Sequence, residues 1–165
     1  MESHSTIIGI VIALVIIIPL ILIQTSQKRQ KKNSRKGFME EASKHHLQVK
    51  TPDFWGTYYA MAIDETANKL IYSKIIDAEH QVTLVNLSLV DSCDIVRTQR
   101  THKNKTTSKI ETDRIDLVIT YKSKNKEVLE FYNVDVNFEM NNEIALLEKW
   151  NAIIKSKTFK KAQAA

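Results

Sequence analysis

Few residues in this 165-residue chain could do chemistry, and their spacing gathers them into no catalytic set. The histidines are His4, His45, His46, His80 and His102, all in polar stretches outside the apolar runs. His45 and His46 are neighbours, and adjacent side chains on a helix point about 100° apart. No third or fourth ligand is spaced to join them, as a zinc site requires, so they read as solvated connector residues. Cys93 is the single cysteine, which excludes an intrachain disulfide. No histidine stands beside it in sequence, and it reads as a small buried hydrophobe rather than a nucleophile. The chain has three glycines, none clustered, whereas phosphate-cradling loops need glycines grouped together. No catalytic residue, metal or cofactor is assigned, and the chain reads as not an enzyme.

Charge offers more. Lys28, Arg29, Lys31, Lys32, Arg35 and Lys36 bring six positive charges with no acid among them. A second basic stretch holds Arg97, Arg100, Lys103, Lys105 and Lys109, with His102. Such runs suit anionic lipid headgroups or an acidic protein partner. The lipid-contacting candidates are therefore Lys28, Arg29, Lys31, Lys32, Arg35, Lys36, Arg97, Arg100, Lys103 and Lys105. The net charge is +5, yet the six early cations account for all of it. From Gly37 onward eighteen Lys/Arg balance eighteen Asp/Glu. A neutral domain gives no electrostatic case for nucleic acid as a partner.

The elements that hold these residues begin with Thr6–Ile23, eighteen residues without a charge. At about 1.5 Å per residue they reach about 27 Å, close to a bilayer's hydrocarbon thickness. The leader holds an acid and no Lys or Arg, unlike a cleaved signal peptide. The expectation is a single-pass transmembrane helix over 6–23. Residues 1–5 lie outside the cell and a basic juxtamembrane connector covers 24–52. All nearby cations follow the span, which puts the C-terminal domain in the cytoplasm at the inner (plasma) membrane.

The domain proper is expected over 53–158, with 159–165 as a tail. Tyr58–Ile63 and Lys69–Ile76 read as strands of a hairpin around Asp64–Asn68, where short polar side chains bond to the local backbone. Val82–Val90, Cys93–Gln99, Ile115–Tyr121 and Val128–Val136 supply four more strands, some with clean alternation. Thr101–Thr112 reads as a polar loop. Leu146, Leu147, Trp150, Ile153 and Ile154 form one apolar stripe on a closing helix capped at Asn141 or Asn142.

This order of elements resembles the pleckstrin-homology-like (PH-like) fold. The stretches Ser92–Val96, Arg114–Ile119 and Glu148–Ile154 are similar to bacterial membrane-anchored members of that class. The resemblance covers roughly residues 55–157 and implies a mainly-β (α+β) domain, a bent antiparallel barrel closed by a C-terminal amphipathic helix. Members that bind phosphoinositides carry cations after their first strand. Here that turn is acidic, so the resemblance carries no such activity over. The expected function is a membrane-anchored cytoplasmic binding or scaffolding module with an unknown protein partner. The alternatives are an extracytoplasmic domain of a surface or secretion assembly, and a membrane-tethered enzyme with an unrecognised site.

Overall fold

The computed structural model describes residues 2–76, 79–103, 108–137 and 140–162, with the backbone alone at 2–14, 20, 23, 27, 102, 103, 108, 109 and 159–162. The chain divides into two compact units, Met1–Met39 and Glu40–Ala165.

Helix α1 runs unbroken from Glu2 to Lys44 with Pro19 inside it. The expected connector is therefore helical through the whole basic run. Among the described residues no helix is long and apolar enough to cross a membrane. Within the expected span, the described side chains lie between Val15 and Leu22. Residues 6–14 of the expected span lie outside the described side chains. This finding overturns the single-pass span, the inner-membrane placement and the inside–outside assignment that followed from them.

The end of α1 is made by local hydrogen bonds. Leu47 N–H donates to Ala42 O at 2.9 Å and His46 N–H to Ser43 O at 2.9 Å. This is the Schellman pattern, which needs one residue at positive φ. His46 supplies it at φ 55°, and histidine visits that region more readily than most residues. Ala42 and Leu47 are both buried, as the apolar contact of that motif requires. His46 thus has a conformational task at the helix end.

Among the described residues seven strands follow, in two antiparallel sheets. The first holds β1 (Asp53–Trp55), β2 (Tyr59–Asp64), β3 (Lys69–Ile76) and β4 (Glu79–Asn86), in that order. A 3-10 turn over Leu87–Leu89 leads to β5 (Val90–Lys103), β6 (Ser108–Tyr121) and β7 (Lys126–Asn133), which form the second. Among the described residues the sheets are not joined into a ring, which corrects the expected closed barrel. Alternation shows which side chains face inward but not which strand edges meet. The expected loop at 101–112 is also corrected: β5 and β6 continue through most of it.

Asp64 holds the first hairpin together. Its Oδ1 accepts from the Thr66 and Ala67 amides at 2.9 Å each, and its Oδ2 from the Gln48 amide at 2.7 Å. These bonds, the Ala67 one first, hold its carboxyl below the usual range against the effect of burial. One core lies between the sheets, built on residues such as Met61, Leu70, Leu117, Ile119 and Leu129. On β2 and β3 the opposite face is also covered, with Ala60, Ala62, Ile71 and Ser73 all buried. Helix α2 (Glu143–Ala162) packs chiefly on β5, with the 3-10 turn and β7. Leu147, Trp150 and Ile154 are its buried stripe. Its start is tied by Glu143, whose Oε2 accepts from the Asn141 amide at 2.5 Å.

Candidate interaction surface

The densest polar cluster lies where the two sheets meet. Asp116 on β6 stands directly opposite Glu130 on β7, and like charges opposite one another oppose pairing. Cations resolve the conflict. Arg114 Nε bonds both oxygens of Asp116, at 2.8 and 2.7 Å, while its Nη1 lies 3.3 Å from Glu130 Oε2. Lys74 on β3 pairs with Glu130 Oε1. Tyr59 on β2 donates its hydroxyl to the same oxygen at 2.7 Å, and Asn133 Nδ2 donates to Oε2 at 3.2 Å. The backbone beside it is held as well. Tyr72 Oη donates to Glu130 O at 2.7 Å, and Trp55 Nε1 to Phe131 O at 2.8 Å. The Trp55 ring stacks on Phe131 with centroids 4.5 Å apart.

These bonds set the protonation states. Burial alone would raise Glu130, but hydrogen bonds from Lys74, Tyr59 and Asn133 outweigh it and hold the carboxyl low. Burial raises Asp116 despite its bonds to Arg114. Burial, then the Glu130 carboxylate, pushes Tyr59 far above its usual value. Two carboxyls driven in opposite directions are the pattern of an acid–base pair. Here both oxygens of Glu130 already carry protein donors. The cluster reads as a latch that joins the sheets by side chains where no backbone ladder does.

Two other reactive types are buried. Ser73 Oγ lies 2.8 Å from His80 Nδ1, the spacing of a nucleophile and its base,. Ser73 is 1% exposed, so its hydroxyl faces no substrate. Cys93 is equally buried, and burial pushes its thiol up to about 12, away from thiolate chemistry,.

The open surface lies on the second sheet. β5 pairs with β6 alone, so its other edge is unpaired along its length among the described residues. β7 leaves the sheet at the Arg114–Asn133 pair. Beyond it Gln99–Lys103 and Ser108–Thr112 continue as a two-stranded ribbon. Val96, Arg97, Thr98, Gln99, Arg100 and Thr101 are all exposed, and Ile110 opposite Thr101 is 63% exposed.

The sequence candidates fall in two places. Lys28, Arg29, Lys31, Lys32, Arg35 and Lys36 all lie on α1 in the first unit. At helical spacing they share one side, with Gln30, Asn33 and Ser34 on the other. Arg97 and Arg100 lie on β5 with Lys103 at its end. Arg100 Nε lies 3.1 Å from Asp113 Oδ2 across the ribbon. Lys105 lies outside the described residues. Sequence reasoning missed Glu130, Asp116, Arg114 and Lys74, because an acid inside an apolar strand reads as its solvated face. Comparison with protein-family models, with curated proteins and with solved structures finds no match. The resemblance to PH-like proteins therefore rests on element order and short stretches alone.

Proposed function

We propose that the second unit is a non-catalytic binding module that takes up an extended segment of a protein along the open edge of β5. One observation carries the reading: β5 is 14 residues long, and its last five, Gln99–Lys103, continue past β7 as a two-stranded ribbon with β6. Two strands alone are marginal in water, and a third strand against them is the stable arrangement. About every second residue of Val96–Lys103 turns its N–H and C=O away from β6. Those groups are the donors and acceptors that strand addition uses. The same edge carries Arg97, Arg100 and Lys103, the kind of charge that guards edges against indiscriminate pairing.

The test is selection of a random displayed-peptide library on the full chain, followed by proline at Val96 and, separately, at Arg97. One of these amides bonds β6 and the other faces outward. Proline at the outward position keeps the sheet. The variant that retains the wild-type melting temperature should lose the selected peptides. A selection without binders, or binders indifferent to that variant, would refute the reading.

A further inference from the structure

Resting on that reading, we infer that the segment added to β5 is the β5 strand of a second copy, which gives a two-fold dimer with a continuous six-stranded sheet. The charge order along β5 supports this occupant. From Ser92 to Lys103 the strand pairs with β6 without an extra residue of its own. Its side chains alternate faces from Ser92 to Thr101, and Asp94, Val96, Thr98 and Arg100 share one face,. The acid is at the beginning of this run and the cations are at its end.

A two-fold axis normal to the sheet reverses the second strand and keeps its faces, so residue pairs across it sum to an even number. The register centred on Arg97 places Asp94 opposite Arg100 of the other copy, twice by symmetry. It also sets Val96 opposite Thr98, and Ser92 opposite His102 at the ends. Shifting the centre to Val96 or Thr98 loses both Asp94–Arg100 pairs. Arg100 already lies beside Asp113, but its side chain is 60% exposed there, and such pairs contribute little and exchange readily. The register has one unfavourable feature. Arg97 meets its own mate at the axis, a like-charge contact of the kind that weakens cross-strand pairing. That contact singles out this register, because removing a cation should strengthen the dimer.

The experiment is sedimentation of the full chain over a concentration series, with folding checked by circular dichroism. The wild type should form a dimer. Arg100→Asp and Asp94→Arg should each weaken it about tenfold, since symmetry places every change at two pairs. The double exchange Asp94→Arg with Arg100→Asp should restore it, and Arg97→Thr should tighten it. A monomer at all concentrations, a double exchange without rescue, or association indifferent to all these substitutions would overturn the inference. If the chain is monomeric while selected peptides still bind in a manner sensitive to the outward proline, only the self-pairing falls. If those peptides are also absent, the edge reading falls with it.

Discussion

Replacing Glu130 with alanine should open the seam between the two sheets. Four donors converge on its carboxylate, and Tyr59 and Lys74 come from the sheet opposite its own. The side chains of Glu130 and Lys74 are 8% and 20% exposed, so solvent screens this pair weakly. Arg114, 41% exposed, contributes little by comparison,. Breaking one side of a buried pair costs about 3–5 kcal/mol, because the remaining charge stays buried. For a unit of this size that corresponds to about 10–20 °C in melting temperature. Glu130→Gln keeps an acceptor for Tyr59 and should cost about half as much. Acid provides the sharper readout. A carboxyl held low contributes stability that is fully present above its unfolded value, about 4.3. That contribution is lost as pH falls through the lower folded value. The gap between wild type and Glu130→Gln should therefore be full at pH 7 and close in acid. Asp116 is raised, so it binds its proton more readily when folded, and wild type should gain on Asp116→Asn as pH falls. Thermal melts of wild type, Glu130→Ala, Glu130→Gln and Asp116→Asn from pH 7 to pH 3 measure this. A loss of under about 3 °C for Glu130→Ala, or a Glu130→Gln gap independent of pH, would refute the latch.

Trp150→Ala removes a buried anchor of α2, and its loss should cost about 3–5 kcal/mol, visible as a large drop in chemical-denaturation midpoint. Gly56→Ala should also destabilise, because Gly56 has φ +52° and an added Cβ would lie 2.6 Å from the Asn137 side chain. Differential scanning calorimetry would show this as a clear fall in melting temperature. Cys93 should resist thiol reagents at neutral pH until the domain unfolds, and a time course of labelling with and without denaturant checks it.

How legible the chain was depended on whether each element has one wet face and one dry face. The Leu147–Trp150–Ile154 stripe marks α2 plainly because that helix has such faces, whereas Lys69–Ile76, buried on both faces, takes its bounds from the polar stretches on either side of it. None of the described side chains of the ribbon, at 99–101 and 110–112, is buried, so the stretch leaves no period-two signal and its threonines and lysines read as loop. β1 is three residues long, too short for any periodicity. Helix α1 carries no proline between Pro19 and Lys44, yet its uniformly polar middle gives no amphipathic pattern by which to extend it. The seam was invisible for a different reason. Lys74, Arg114 and Glu130 are brought together only by the tertiary arrangement of three strands.

Strand addition must show first at the outward amides of β5. Hydrogen exchange followed residue by residue, at a dilution where no second copy fills the edge, should be slowed by a bound selected peptide at every second amide between Val96 and Lys103, and stay unchanged in β1–β4. Unaltered exchange along β5, or new protection in the first sheet instead, would contradict it.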